Sequence, residues 1–220
     1  MIITFSNRKS RVGKSSLCLA LANYWSSRGI PVKVVDVDPQ ESLYNTRKDD
    51  LKLYDLLPKY DVLKYEMEKM DGFGDFIKGL KKESSYILFD SPSGINGDIF
   101  MHLIKISDYV LVPFQYETYS IDITGRYSRA LKVLEDTFPE QHRTVVYIPN
   151  MIYPKDIDCL ANYWSKYSDC FCGLKAPLIT LQECMRERNS FFMAPDVLDC
   201  VSPCFEYLTQ VIIKGDMSKI

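Results

Sequence analysis

A chain of 220 residues is long enough for one generous domain built on a two-faced sheet, and short for two. With 46% hydrophobic and 25% charged residues it has the composition of an ordinary soluble globular protein, and a formal charge of -2 excludes a globally basic nucleic-acid coat while leaving room for a local basic patch. No run approaches the ~20 apolar residues of a membrane span, and the apolar start, Met1 to Phe5, is too short for a signal-peptide core, so a cytoplasmic protein is expected.

Ile2 to Phe5 reads as a short buried strand. After the polar stretch Ser6 to Gly13, a helix is predicted over Lys14 to Arg28, with Leu17, Ala20, Leu21, Tyr24 and Trp25 at helical spacing and Gly29 placed to end it. Pro31 breaks the chain, and Val32 to Val37 is a second strand leading into Asp36-Val37-Asp38-Pro39. Glu41 to Asp75, dense in Lys, Asp and Tyr, is the least legible part. It reads as a helical excursion with an edge strand near Asp61 to Tyr65, its charges a solvated face and Met67 and Met70 core packing.

The strand-to-turn beat then recurs: Tyr86 to Phe89 closes on Asp90-Ser91-Pro92, Tyr109 to Val112 on Pro113, and Val145 to Ile148 on Pro149-Asn150. Helices are predicted at Ile99 to Ile106 and Ile121 to Phe138, a last strand at Leu174 to Ile179, and a closing helix at Pro203 to Ile213. Near-continuous apolar strands separated by helices indicate a doubly wound α/β fold, its mostly parallel sheet covered by helices on both faces. In such sheets ligands sit at the carboxyl ends of the strands, where Lys9 to Ser16, Asp36, Asp38, Asp90 and Asn150 all fall.

The chemistry these residues offer is phosphate binding. In "SNRKSRVGKSS", residues 6–16, Gly13 lets the backbone approach a polyphosphate, Lys14 neutralises its oxygens, Ser15 offers a hydroxyl to Mg²⁺, and the helix start adds N–H donors. The general pattern G-x-x-x-x-G-K-[ST] fails, because its first glycine falls at Arg8. Asp36 and Asp38 point the same way only if the second strand continues that far. Asp90, ending Tyr-Ile-Leu-Phe-Asp, fits the Mg²⁺-supporting acid of a phosphate-loop nucleotidase. Seven cysteines without a Cys-x-x-Cys, and only His102 and His142, leave little basis for a disulfide framework, a zinc cage or Cys-His catalysis.

These segments together resemble the ParA/MinD ATPases, whose deviant Walker A loop K-G-G-V-G-K-[ST]-[ST] aligns with Lys9-Ser10-Arg11-Val12-Gly13-Lys14-Ser15-Ser16. "ITFSN", "LALANYWSSRG", "VVDVDPQ", "YILFDSPSG" and "SDYVLVPFQYE" follow in the family's order. The likeness spans roughly Met1 to Met151 and continues faintly through Pro177 to Pro195. It is nearest to the short ParA-like partitioning proteins of plasmids and conjugative elements.

The resemblance implies a P-loop NTPase that binds ATP and Mg²⁺, dimerises around the nucleotide, hydrolyses it, binds DNA without sequence preference in the ATP state and answers to a ParB-like stimulatory protein. Position by position, it implies that Lys9 reaches the partner's nucleotide, Lys14 holds the β- and γ-phosphates, and Ser16 touches the α-phosphate. Asp38 would orient the attacking water, Ser15, Asp36 and Asp90 would support Mg²⁺, and Asn150 would meet the adenine. Arg186 and Arg188, with Lys214 and Lys219, are the DNA-binding candidates, and the C-terminal helix has too few cations for bilayer docking.

Ser10 and Arg11 replace the two adjacent family glycines. If both positions need glycine the loop is strained, which keeps open an alternative: a catalytically impaired nucleotide-binding or protein-interaction module. Arg11 is expected to face solvent or the dimer surface. An ATP-dependent ligase shares the fold but would need a second small-molecule pocket, for which no motif is evident.

Overall fold

β1 (Ile2–Phe5) lies in the middle of a seven-stranded sheet in the computed structural model, which describes residues 1–66, 72–82, 84–93, 97–153, 169, 171–180 and 188–215. After β1 come α1 (Lys14–Ser27), β2 (Val32–Asp36), α2 (Ser42–Leu53), β3 (Asp61–Lys64), α3 (Phe73–Lys81), β4 (Tyr86–Asp90) and α4 (Gly97–Ile106). The chain continues through β5 (Tyr109–Phe114), α5 (Thr118–Thr137), β6 (Thr144–Pro149), β7 (Leu174–Lys175) and α6 (Pro195–Ile213). The strand order is β3-β2-β4-β1-β5-β6-β7, and each pairing is parallel.

Strand period explains the two covered faces, since successive side chains point to opposite sides. Ile3, Phe5, Val34, Leu88, Leu111, Val146 and Ile148 pack with Leu17, Leu21 and Trp25 of α1 and Val201, Phe205 and Leu208 of α6. Their sequence neighbours turn the other way. Ile2, Val35, Ile87 and Phe89 meet Phe73, Ile77 and Leu80 of α3, while Val110, Val112 and Tyr147 meet Tyr127, Leu131 and Leu134 of α5. Each fully buried aliphatic or aromatic side chain contributes roughly 1.5–3 kcal/mol. The doubly wound reading therefore holds residue by residue.

Boundaries moved where tertiary contacts outvote local signals. α6 begins at Pro195, eight residues before the expected Pro203, because Val197 and Val201 continue its buried stripe. Pro195 suits a first turn, where no N–H is needed, and Pro203 is carried inside the helix. The expected strand at Leu174 to Ile179 shrinks to two residues plus an isolated bridge from Thr180 to Ile152. The helical excursion and edge strand expected within Glu41 to Asp75 are α2 and β3, whereas α3 was not expected; α2 buries only Leu43, Arg47 and Asp50, too mixed a face for periodicity to set its bounds. Met67 and Met70 lie outside the described residues.

Candidate functional site

The polar loop from Ser6 to Gly13 leaves the carboxyl end of the central strand and is pinned at three points. Asn7, buried, donates through Nδ2 to the Pro113 carbonyl at 2.8 Å and to Thr124 Oγ1 at 2.9 Å, and its Oδ1 accepts the Lys9 N–H at 3.0 Å. Ser6 Oγ accepts from Tyr127 at 2.7 Å and from Ser91 at 3.1 Å. At the other end Asn150, also buried, donates through Nδ2 to the Val12 carbonyl at 2.9 Å.

Gly13 is required twice over. Its φ of 92° is left-handed, and a Cβ there would lie 2.3 Å from Asn150 Nδ2. It also starts α1 with no side-chain cap and no acidic residue in the first turn, so the helix presents its N–H groups uncapped beside Lys14, Ser15 and Ser16. The two replaced glycines fare differently. Arg11 takes a left-handed φ of 59° and is exposed, while Ser10 does not have a positive φ. Only one of the two substitutions meets a strained backbone, at a cost of about 1–2 kcal/mol.

Lys14 is 5% exposed, and its Nζ donates to Ser93 Oγ at 2.7 Å and to the Lys9 carbonyl at 3.4 Å. Burial pushes its pKa down, opposed by Asp90 and Asp38. Lys9 folds back within its own chain: Nζ lies 3.8 Å from Glu117 and 4.9 Å over the Tyr119 ring.

The three acids separate by environment. Asp36 is committed to backbone donors: Oδ1 accepts the Asp38 N–H at 3.1 Å, and Oδ2 accepts the Leu43 and Tyr44 N–H groups at 2.8 and 3.1 Å, tying down the start of α2. Burial raises its pKa, and those N–H groups oppose the rise. β2 ends at Asp36, so Asp38 lies beyond the strand, half-buried, its Oδ1 accepting the Gln40 N–H at 2.9 Å.

Asp90 is fully buried, and neither carboxylate oxygen has a well-formed hydrogen bond among the described residues. Burial pushes its pKa up to about 7, with the Ser15 hydroxyl and Lys14 favouring the charged form. An orphaned carboxylate beside a lysine and a serine hydroxyl has the donor chemistry of a Mg²⁺ shell completed by phosphate oxygens. No group of three His, Cys, Asp or Glu side chains among the described residues could hold a metal ion.

Residues 3–168 match the family described as the CobQ/CobB/MinD/ParA nucleotide binding domain. The chain belongs to this family. Solved structures repeat the ParA/MinD-like fold at low identity. A plasmid partition protein of Borrelia burgdorferi superposes with a TM-score of 0.65 at 16% identity, covering 96% of this chain and 98% of its own. MinD in the MinC:MinD cell division complex of Aquifex aeolicus gives 0.68 at 16%, covering 94% and 95%. Cobyrinic acid a,c-diamide synthase of Mycobacterium smegmatis, with bound ADP and magnesium, gives 0.69 at 15%, covering 98% and 96%. No curated protein sequence matches significantly.

Among the residues expected at the site, Val12, Gly13, Lys14, Ser15, Asp90 and Asn150 gather around the start of α1, with Lys9 on the outer side of the loop. Arg188 sits at the same place: its Nε donates to Ser16 Oγ at 3.3 Å. Lys214 is exposed at the end of α6, and Arg186 and Lys219 lie outside the described residues. Sequence reasoning missed Asn7, Ser93, Glu117 and Tyr119, whose roles depend on contacts across the sheet and carry no local signal.

A cavity of about 510 Å³ runs along α1 from Ser16 to Asn23, walled by Asp50, Leu53 and Tyr54 and by Arg188 to Val197. Ser16 and Arg188 line it, and Lys14, Asp36, Asp38 and Asp90 do not. No helix among the described residues is long and apolar enough to cross a membrane.

Proposed function

We propose that the chain is an ATP-dependent switch that binds Mg·ATP in the loop, dimerises around it and hydrolyses it to ADP and phosphate, serving the partitioning or maintenance of a plasmid or mobile DNA element. The observation that carries this reading is the conjunction at the start of α1 of an uncapped helix, a buried Lys14 and a fully buried Asp90 with no well-formed hydrogen bond among the described residues. In this reading Lys14 binds the β- and γ-phosphates, and the uncapped N–H groups with Ser16 bind the α-phosphate. Asp90 and Ser15 would hold Mg²⁺, with Asp36 acting at one remove by fixing α2 and the turn that carries Asp38. When bound, the ion would neutralise charge on the transferring phosphoryl group.

Asp38 would orient water, a role its half-exposed position beyond the strand end supports. Asn150 would hold the loop by its amide and keep Oδ1, which has no hydrogen-bond partner among the described residues, for the adenine. Lys9 must leave Glu117 and Tyr119 to reach a partner's nucleotide, so dimerisation would complete the site. Non-specific DNA and a ParB-like protein are the expected partners of the ATP dimer, in the cytoplasm. The strained Arg11 and the withdrawn Lys9 favour slow turnover over absent binding.

The test is calorimetric titration of Mg·ATP into the wild type and Lys14→Ala, with sedimentation of each in ATP and ADP. Binding and ATP-dependent dimers in the wild type, both reduced at least 100-fold in the variant, are expected. Equal or absent binding in both proteins overturns the reading.

A further inference from the structure

The segment Arg188 to Met193 is held with unusual thoroughness for a stretch outside regular structure. The Asn189 carbonyl and the Phe192 carbonyl accept from Asn23 Nδ2 on α1 at 2.7 and 3.2 Å. Ser190 donates through both its N–H and its hydroxyl to Asp50 on α2, each at 2.7 Å, while its carbonyl accepts from Arg47 Nη2 at 2.9 Å. Asn189 adds a bond to the Tyr54 hydroxyl at 3.1 Å and folds its own Oδ1 onto the N–H groups of Phe191 and Phe192 at 2.8 and 3.0 Å. Asn23, Arg47 and Asp50 are all buried, so this strap is fixed to α1 and α2 by groups that cannot exchange freely with water.

What the strap presents is Arg188. Its Nε reaches Ser16 Oγ in the first turn of α1, and it makes no ion pair with a carboxylate among the described residues, so the rest of the guanidinium fork is available next to the helix start. A planar cation with spare donors, anchored beside a phosphate-binding turn, matches the bidentate recognition of a phosphate. Arg188 is itself exposed, so what sets it apart from a general surface cation suited to sequence-independent DNA binding is its bond to Ser16 beside the helix start.

Building on the ATP-switch reading above, we propose that Arg188 is a nucleotide-binding residue that contacts the α-phosphate together with Ser16, and that the strap from Asn189 to Phe192 exists to hold it there. Arg188 thereby leaves the set of DNA contacts. It also makes the packing of α1 against α2 responsive to nucleotide, because Asn23 and Asp50 anchor the same strap.

The test measures affinities for a fluorescent ATP and a fluorescent ADP, each with Mg²⁺, in the wild type and in Arg188→Ala, Arg188→Lys, Ser16→Ala and the double variant. Thermal melts check folding. Arg188→Ala is expected to weaken both nucleotides by the same factor, about tenfold, because both carry the α-phosphate. Arg188→Lys recovers part of the loss, and the double variant loses less than the product of the single losses. DNA affinity at saturating ATP stays within twofold of the wild type. Unchanged nucleotide affinity in a folded Arg188→Ala, or a loss confined to ATP, overturns the proposal while leaving the switch reading intact. A wild type that binds neither nucleotide overturns both.

Discussion

The two halves of the phosphate loop obey different constraints. From Val12 to Lys14 the chain is enclosed: Val12 and Lys14 are buried, the Val12 carbonyl is held by Asn150, and Gly13 has no room for a side chain. From Arg8 to Arg11 it is open, with Arg8, Ser10 and Arg11 exposed and Lys9 resting on the partly exposed Glu117 and Tyr119. The loop departs from the family glycines in the open half and keeps its glycine in the enclosed one. Steric demand, rather than proximity to the proposed ligand, decides which position tolerates a side chain.

The sharpest way to break that contrast is Gly13→Ala. A Cβ 2.3 Å from Asn150 Nδ2, on a backbone with positive φ, is expected to cost about 2–3 kcal/mol in urea unfolding and more than tenfold in Mg·ATP affinity. A variant as stable as the wild type would show that the Asn150 clamp yields easily.

An intermediate effect is expected from pH. Burial raises the Asp90 carboxyl from 3.8 to about 7 in the folded protein, so the folded state favours the neutral acid. The nucleotide-free protein therefore loses this group's stability as pH rises from about 4 through about 7, whereas Mg²⁺ needs the ionised form. Mg²⁺-dependent nucleotide affinity should rise between pH 6 and 8 over about this pKa, and Asp90→Asn should flatten both profiles. A flat wild-type stability profile, unchanged by Asp90→Asn, would refute the burial argument.

The smallest effects belong to the open half. Arg11→Gly removes a left-handed side chain but frees the unfolded chain, so stability should rise by less than about 1 kcal/mol with affinity within twofold. Glu117→Gln removes a solvent-screened pair and should shift stability by under about 0.5 kcal/mol. Its informative readout is sedimentation in ATP, where freeing Lys9 should favour the dimer.

Legibility followed the same division. The strands leading to Asp36, Asp90 and Asn150, and the loop between β1 and α1, were visible because burial on both faces forces unbroken apolar runs and a polar residue stands at or just past each of these strand ends. α2 was legible only as a helical excursion without bounds, because its buried face carries Arg47 and Asp50, whose partners, Tyr60 and Ser190, lie 13 and 140 residues further along the chain. The charge of Arg188 is visible in the sequence, whereas the Ser16 hydroxyl beside it, 172 residues away, is not.

By itself the sequence determined the layered sheet and the gathering of Lys14, Ser15 and Asp90 at the carboxyl ends of its strands, since these depend on period and local order. The tertiary structure alone decided which acid is free and which is spent on a helix start, that Ser10 escapes the strain Arg11 bears, and that Asn7 and Asn150 hold the loop. The physical reason is range. Hydrophobic period is written in neighbouring residues, whereas satisfying a buried polar group requires a partner that only the folded sheet brings within 3 Å.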